Sequence, residues 1–422
     1  MKKTSLNIAL FLIFAFSLYS PLSGQVVKTG IEVLKEENFE TLAGKRVGLI
    51  TNPSGVDFDL KSSADLFYES DRFELVALFG PEHGVRGNLH AGESGSNSID
   101  PQTGVTLYSL YGATRKPTPK MLEGIDILVY DIQDIGCRSY TFISTMGLAM
   151  EACAQAGIEF VVLDRPNPLG GVKVEGPLPQ DGFLSFVGQY KIPYIYGLSC
   201  GELALYINGT LPPQERCNLK VVKMEGWNRS MSYRETGLEW IPPSPHIPTP
   251  ESALFYPASG ILGELGFISI GIGYTLPFQL FGAEWIESQK LAEKLNSYNL
   301  EGVYFRAVEY KPFYGFGSGK VLEGVQPHIV DFSKVALTEL QFRVLEALNE
   351  LYPRREPFGN LSAQKRAMFD KVTGSSSARE LLSKGREEGG SFDIFFDFWR
   401  KDIENFKEIS HPYLLYPHSN LF

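Results

Sequence analysis

Residues 46–55 read RVGLITNPSG, a short apolar segment that runs directly into a polar loop containing proline and glycine. The same pattern recurs in residues 73–84, FELVALFGPEHG, after a segment at 60–69 that is predicted to be a helix. Continuous runs of Val, Ile and Leu between helices indicate strands that are buried on both faces. The two units together predict strand, helix and strand in a parallel sheet.

The alternation continues along the first half of the chain. Further strands are predicted at 105–110, 125–130 and 158–163, and a long helix at 141–156 that Gly157 closes. Helices between parallel strands cover both faces of a sheet. The predicted fold class is therefore α/β, with a doubly wound, Rossmann-like domain.

Residues 242–250, PPSPHIPTP, divide the chain into two parts. So much proline disfavours a helix or a central strand and predicts a rigid, extended linker. Residues 25–241 form the predicted Rossmann-like domain, and residues 251–422 a second, smaller α/β domain. The second part contains a Gly-rich stretch at 260–273 and predicted helices at 287–298, from about 335, and at 377–385. An active-site cleft is expected between the two domains.

The first 24 residues are predicted to be a cleaved signal peptide. Lys2 and Lys3 supply a positive start, residues 8–18 an apolar run, and residues 21–24, PLSG, a small-residue exit. No cysteine follows the apolar run, and no later segment is apolar enough for a membrane helix. The protein is therefore expected to be exported, to the periplasm or the extracellular space, without a membrane anchor.

The composition narrows the range of partners. The 422 residues include 49 Asp and Glu against 39 Lys and Arg, which gives a formal net charge of -10. An acidic chain without a basic stripe is a poor ligand for polyanions, so nucleic acid is not an expected partner. The four cysteines contain no CxxC pair and are predicted to be small buried residues, with a Cys200–Cys217 disulfide as the open alternative.

Polar side chains follow four of the predicted strands, at the point where each strand ends. In a doubly wound sheet, ligands bind beyond the carboxyl ends of the strands, so these loops are expected to form one site. Any single loop of this kind is more often only a turn, but four at one edge favour a site. The candidates are Asn52, Glu82, His83, Arg86, Asp131, Gln133, Asp134, Arg138, Tyr140, Asp164, Arg165 and Asn167.

Several chemistries lack their sequence motifs. The first strand is not followed by G-x-G-x-x-G, no P-loop motif occurs, and no G-x-S-x-G nucleophile turn is present. No cofactor and no metal are therefore expected. The carboxylates that remain suit glycosidic cleavage, in which one protonates the leaving oxygen and the other acts as nucleophile or activates water.

Several long motifs, in this order, resemble the DUF1343 family, which includes exo-β-N-acetylmuramidases of the NamZ type. They are GLITNPSG at 48–55, FGPEHGVRG at 79–87, DIQDIGCRSYT at 131–141, DRPNPLGG at 164–171, EGP at 175–177 and PPSP at 242–245. The resemblance covers nearly the whole mature chain. It implies a cell-wall glycosidase that removes a terminal N-acetylmuramic acid from the non-reducing end of peptidoglycan-derived saccharides.

The site residues can then be given roles. Glu82 is the first choice for the catalytic acid or base. Glu175 is favoured as its partner because it lies on a tight turn close to the rim, and Asp131, Asp134 and Asp164 are the alternatives. An acetamido sugar could instead supply its own nucleophile through its carbonyl oxygen.

One segment departs from the family pattern. Where members commonly carry Glu-Gly-Thr-Asn and then a Gly-Arg-Gly turn, this chain keeps Glu264 but has Ile272 in place of the arginine. His246 stands where an asparagine is expected. These residues are predicted to face the cleft. A guanidinium is the natural partner of the lactyl carboxylate, so either Arg86, Arg138 or Arg165 takes the place of the family arginine, or the preferred sugar has that carboxylate masked or missing. Weaker selectivity for free N-acetylmuramic acid than in arginine-bearing relatives is therefore expected.

Two other functions remain open. A metal-dependent hydrolase would use His83, Asp131, Asp134 and Asp164, since carboxylates and imidazole bind divalent ions. A wall-sugar binding protein would have kept the cleft and lost turnover. Retention of Glu82 argues against the binding protein, and loss of the arginine argues for it.

Overall fold

The structure is a computed structural model that describes residues 26–90, 92–93, 95–359, 361–388 and 393–418. The predicted signal peptide, residues 1–24, lies outside the described residues. Within the described part of the chain, no helix combines the length and the apolar character that crossing a membrane requires.

The first domain is built on a seven-stranded sheet. In chain order the strands are β1 (Arg46–Thr51), β2 (Glu74–Gly80), β3 (Ser98–Ile99), β4 (Thr106–Ser109), β5 (Ile127–Asp131), β6 (Glu159–Leu163) and β7 (Asn218–Val222). Across the sheet their order is β3-β4-β2-β1-β5-β6-β7, and every neighbouring pair is parallel except β3 with β4. The six parallel strands thus follow the Rossmann order, in which strands are added first to one side of β1 and then to the other.

Helices cover both faces of this sheet, as predicted. They are α1 (Gly30–Glu36), α2 (Ser63–Glu69), α3 (Phe142–Ala156) and α4 (Cys200–Thr210). On one face, Phe67 of α2 packs with Val47 and Leu49 of β1. On the other face, α3 and α4 pack against alternate residues of the central strands, because successive strand side chains point to opposite sides. The α/β prediction for this domain is confirmed.

The second domain has a small antiparallel sheet of order β8-β10-β9, made of β8 (Phe281–Ala283), β9 (Val303–Tyr310) and β10 (Leu322–Ile329). Its apolar core is continuous with one face of the first domain. Its helices are α5 (Pro250–Gly263), α6 (Ser288–Ser297), α7 (Leu337–Leu351), α8 (Ala363–Thr373), α9 (Ser377–Glu388) and α10 (Asp393–Ser410).

Two helices differ from the sequence predictions. Helix α5 occupies residues predicted to be the end of the linker and the start of a Gly-rich stretch. Pro250 starts it, where a missing N–H is harmless, and the Thr249 side chain caps its first turn. Pro257 lies inside it, and the Gln341 side chain bonds to the backbone there. Helix α9 continues past Gly385 to Glu388, so the predicted stop at Gly385 is wrong.

The domains are joined by polar contacts and by the C-terminal tail. Residues 411–418 return to the first domain, where the Tyr416 hydroxyl donates to Asp164 at 2.6 Å and Leu415 N–H donates to Glu202 at 2.8 Å. The last residues of the predicted second domain therefore pack on the first. All four cysteines are buried with free thiols, so the alternative of a Cys200–Cys217 disulfide does not describe this structure.

Candidate active site

A cavity of about 490 Å³ lies between the two domains, beyond the carboxyl end of β2. The first domain contributes the loop after β2 and the start of α3, and the second domain contributes α5 and the loop that follows it. The lining residues are Glu82, His83, Ser139, Tyr140, Thr141, Phe142, Ser244, His246, Ile247, Tyr256, Gly260, Gly263, Glu264, Gly266, Ile268, Ser269, Ile270, Ile272, Phe278 and Phe316.

Glu82 stands where β2 ends. Its two carboxylate oxygens accept hydrogen bonds from Gly92 N–H at 3.0 Å and from the Thr141 hydroxyl at 3.2 Å. Burial, followed by the charge of Glu82, raises the pKa of the neighbouring Tyr111 to about 12. The next residue, His83, has a φ of 73°, a left-handed conformation that is uncommon for a residue with a side chain. Backbone strain of this kind is typical of functional loops.

The start of α3 forms the floor of the cavity. Tyr140 is nine-tenths buried there, and burial holds its pKa well above the usual range. Its ring meets Phe142 edge-on at 4.8 Å and Tyr256 at 5.6 Å between ring centroids. Beside it, the Ser139 hydroxyl bonds to Tyr194 at 2.9 Å and Tyr256 at 3.3 Å. These contacts present hydroxyl groups within an otherwise aromatic wall.

The second domain places Glu264 in the same cavity as Glu82. Burial raises the pKa of Glu264, and the positive charge of Lys365 acts in the opposite direction. His246 lies nearby with its Nε2 atom 2.9 Å from the Tyr314 hydroxyl, and burial lowers its pKa. Ile272 also lines the cavity. The cavity therefore contains one glutamate from each domain.

Glu175 lies elsewhere, which corrects its expected place beside Glu82. Its carboxylate accepts Thr338 N–H at 2.9 Å, at the start of α7, and pairs with Lys173 at 3.1 Å. Burial raises its pKa. A carboxylate is stabilised at the positive end of a helix, so Glu175 joins the first domain to α7. It lines a separate groove near Phe332, not the cavity that holds Glu82.

Arg138 also joins the domains and does not reach the cavity. Its guanidinium donates to the carbonyls of Val372 and Thr373 at 2.9 and 3.1 Å, at the carboxyl end of α8, and to Pro177 and Ile192 in the first domain. Burial lowers its pKa to about 10. The cation meets the negative end of a helix, where it is stabilised.

Beside the carboxyl end of β1, where the strand order reverses, the polar side chains bond to other protein groups. Arg165 forms a buried ion pair with Asp131 at 2.7 Å, and Gln133 donates to the carbonyls of Asp134 and Pro166 at 2.7 Å. Asn52 donates to Pro243 O at 3.1 Å. Because these groups bond to protein partners outside the cavity, the structure assigns them to the scaffold of the rim and not to substrate contact.

The remaining strand-end candidates hold loops in place. Asp164 accepts bonds from the Ser199 hydroxyl and Gly201 N–H at 2.7 and 2.8 Å, and Asn167 donates to Leu198 O at 2.9 Å. Asp134 accepts Gly136 N–H at 2.7 Å and a short bond from the Tyr196 hydroxyl. Burial raises the pKa of Asp134 and of Asp164 to about 6. Neither aspartate lines the cavity.

Arg86 is held on the outer side of the β2 loop. Its guanidinium pairs with Asp65 and with Asp100, each at 2.8 Å, and these contacts raise its pKa while Arg86 lowers that of Asp100 to about 2. This doubly paired arginine fixes the loop that carries Glu82. Arg86 was expected to contact the substrate, and that prediction is wrong: its guanidinium binds Asp65 and Asp100 instead.

The ligands of the alternative metal site do not come together. Of the proposed set, His83 lines the cavity, whereas Asp131, Asp134 and Asp164 bond to protein groups outside it. Within the described ranges, no group of three or more His, Cys, Asp or Glu side chains is placed to hold a metal ion.

Two family models together match most of the chain. The model described as exo-beta-N-acetylmuramidase NamZ, N-terminal, matches residues 47–251, and the corresponding C-terminal model matches residues 254–416. The chain belongs to the NamZ family. A curated relative, the peptidoglycan beta-N-acetylmuramidase NamZ of Bacillus subtilis strain 168, is 45% identical over 390 residues, which are 92% of this chain and 91% of that protein.

Two solved structures resemble this chain over most of its length. Both are DUF1343 family proteins of Bacteroides fragilis. One is 56% identical, with a TM-score of 0.87, and covers 92% of this chain and 99% of its own. The other is 30% identical, with a TM-score of 0.70, and covers 93% and 99% respectively. The resemblance found in the sequence motifs is therefore confirmed.

Sequence reasoning missed part of the NamZ-family cavity. Ser139 and Thr141 lie in the motif at residues 131–141, and the signal that could have found them is that hydroxyls at a helix start commonly bond to neighbouring groups. Tyr256 was missed because it lies on α5, and the proline and glycine residues of that helix weaken its sequence signal. The sequence did not indicate the apolar wall either, since apolar residues carry no signal that separates a cavity wall from a core. The wall includes Ile247, Ile268, Ile270, Phe278 and Phe316.

Proposed function

We propose that this chain is an exo-acting glycosidase that releases N-acetylmuramic acid from the non-reducing end of peptidoglycan fragments. The observation that carries the proposal is the cavity between the domains, in which Glu82 and Glu264 occur together. Membership of the NamZ family, and the activity named for the relative at 45% identity, support the same substrate class.

The two glutamates have environments that suit different roles. Burial raises the pKa of Glu264, which favours the protonated form that a general acid needs. Glu82 accepts hydrogen bonds on both oxygens, so its lone pairs are oriented and its position is fixed. In the proposed reaction Glu264 protonates the leaving glycosidic oxygen, and Glu82 acts on the anomeric centre as nucleophile or through an activated water.

The shape of the cavity suits the end of a glycan. A volume of about 490 Å³ is typical of sites that enclose a small ligand. The aromatic and aliphatic wall offers contact to the ring and to methyl groups, and Ser139, Thr141 and Ser244 offer hydroxyls to the polar substituents. A site of this form would enclose one terminal sugar while the rest of the chain remains outside.

Export belongs to the proposal on sequence grounds. The charged start, the apolar run and the small-residue exit of residues 1–24 are typical of a secretory signal. Peptidoglycan fragments outside the cytoplasmic membrane would then be accessible substrates, in the periplasm or the extracellular space.

The test is release of a chromophore from a β-N-acetylmuramide, with and without EDTA, beside direct binding of the same sugar. The proposal predicts turnover that EDTA leaves unchanged. Turnover abolished by EDTA and restored by a divalent ion would instead favour a metal-dependent hydrolase. Binding without turnover, on the chromogenic substrate and on a natural disaccharide, would favour a sugar-binding protein.

A further inference from the structure

Within the described residues, the cavity has acidic side chains but no ammonium or guanidinium group. Glu82 and Glu264 line it, whereas neither lysine nor arginine is found among its lining residues in the described ranges. Its ionisable nitrogen groups are the imidazoles of His83 and His246. Burial and the nearby His83 lower the pKa of His246, which favours a neutral imidazole at neutral pH. An anionic substituent would therefore find no strong positive partner inside the cavity.

The arginines near this end of the first domain are already bound. Arg86 lies between two aspartates, Arg138 donates to four backbone carbonyls, and Arg165 pairs with Asp131 in a buried contact. Moving any of them into the cavity would leave buried acceptors without a donor, which is costly. A partner for an anion must come from the rim.

Lys365 lies at that rim. It is an exposed residue in the first turn of α8, and a Cβ atom built on Gly266 would lie 2.7 Å from its ammonium nitrogen. Gly266 itself lines the cavity. The charge of Lys365 acts on the pKa of Glu264, so the two groups are near neighbours. Across the described residues, the Lys365 ammonium makes neither a hydrogen bond nor an ion pair.

We propose that Lys365 recognises the lactyl carboxylate of N-acetylmuramic acid and selects this sugar over N-acetylglucosamine. The inference rests on the proposed function. The two sugars differ by a lactyl ether, whose carboxylate is ionised at neutral pH. A lysine ammonium is a compact charge with three donors on a flexible stem, so it can meet a carboxylate at the rim while the ring lies against the apolar wall.

The size of the effect follows from the exposure of Lys365. A charge-assisted contact open to solvent is weaker than a buried one, because water and salt screen it. We therefore expect Lys365 to contribute about fivefold to kcat/KM for the muramide, or about 1 kcal/mol. The effect should shrink at high ionic strength, since exposed charges are screened there.

The test compares Lys365→Met, which keeps the length of the side chain and removes its charge, with Lys371→Met as a matched control. Lys371 is an exposed lysine on the same helix that does not line the cavity. Each protein is assayed on a chromogenic β-N-acetylmuramide, its lactyl methyl ester, and the β-N-acetylglucosaminide.

We expect K365M to lose about fivefold in kcat/KM on the muramide relative to the ester and the glucosaminide, and K371M to match the wild type throughout. Loss of the Lys365 charge also acts on Glu264, but that effect is shared by all three substrates and cancels in the ratio. An unchanged ratio of muramide to glucosaminide in K365M would overturn the assignment. An equal change on all three substrates would overturn it as well, because Lys365 would then act through Glu264 or the structure and not on the lactyl group.

Direct binding separates this inference from the proposed function. Dissociation constants for free N-acetylmuramic acid and N-acetylglucosamine are measured by calorimetry for the same three proteins. If the wild type hydrolyses neither glycoside, the proposed function fails. The Lys365 assignment then stands if the wild type prefers N-acetylmuramic acid and K365M loses that preference, and it falls if the preference is absent or survives the substitution.

Discussion

Gln341 supports the cavity wall from outside it, and Gln341→Leu tests that support. Its fully buried amide enters the backbone of α5, where the Nε2 atom donates to Pro257 O at 2.6 Å. Its Oε1 atom accepts from Ile261 N–H at 2.9 Å and Leu262 N–H at 3.3 Å. In an uninterrupted helix Ile261 N–H would donate to Pro257 O directly. The amide therefore stands in place of one helical hydrogen bond.

The substitution should cost stability and activity together. Loss of three hydrogen bonds at about 1 kcal/mol each, less the one helical bond that is regained if α5 closes, suggests a loss of about 2 kcal/mol in the free energy of unfolding. A helix opened by an inserted side chain is expected to close when that side chain cannot bond. Closure would move the last turn of α5, which carries Gly260, Gly263 and, directly after it, Glu264. Because catalytic geometry is sensitive to small displacements, we expect kcat/KM to fall by about tenfold or more.

Urea unfolding and kcat/KM on a chromogenic β-N-acetylmuramide measure the two effects. Thr338→Val is the matched control, because Thr338 is buried on the same helix, α7, and its hydroxyl has no hydrogen-bond partner in the described structure. We expect the control to be as stable and active as the wild type. A Gln341→Leu protein with wild-type stability and activity would refute the reasoning that this amide shapes the wall.

Three further predictions concern the acid, the domain junction and the sugar pocket. Glu264→Gln should slow hydrolysis of a natural disaccharide far more than that of a substrate with a good leaving group, and equal losses on both would contradict the acid role. In the wild type, kcat should fall as pH rises through the raised pKa of Glu264, because the acid loses its proton. The variant should lack this fall. Arg138→Met should lower the free energy of unfolding by about 3 kcal/mol, since buried carbonyls in both domains lose their donor; urea unfolding at the wild-type midpoint would show that the carbonyls find other partners. Ile272→Arg should raise the ratio of kcat/KM for β-N-acetylmuramide to that for β-N-acetylglucosaminide by about tenfold or more; an unchanged ratio would show that residue 272 does not face the lactyl group.

The sheet and its active edge could be predicted because their signals are local. Buried parallel strands are continuous apolar runs, so five of the six parallel strands were located to within a few residues, and β2 leads directly to Glu82. Strand β7 was not predicted, because it lies at the edge of the sheet and only part of it is buried. The sequence also indicated polar residues at one edge of the sheet. It could not separate those that line the cavity, such as His83, from those that bond to the scaffold, such as Arg165, because that difference depends on which partners the fold brings near.

The second glutamate could not be assigned for a related reason. Glu175 is close in sequence to the rim but turns toward the start of α7, where Thr338 N–H and Lys173 hold it. Glu264 reaches the cavity only because α5 forms, and α5 contains Pro257 and two glycines near its end, Gly260 and Gly263, which weaken its helix signal. Contacts with α7, such as that of Gln341, stabilise this helix against its own propensity.

The most direct measurement of the central claim is the rate at which free N-acetylmuramic acid is released from an unactivated disaccharide by the wild type and by Glu82→Gln. The amide keeps the shape of the side chain but cannot carry the charge or exchange the proton that catalysis requires. We predict release by the wild type and a loss of about 10² to 10⁴ in rate for the variant, with its thermal unfolding unchanged. A folded Glu82→Gln protein that releases the sugar at the wild-type rate would contradict the assignment of this cavity as the active site.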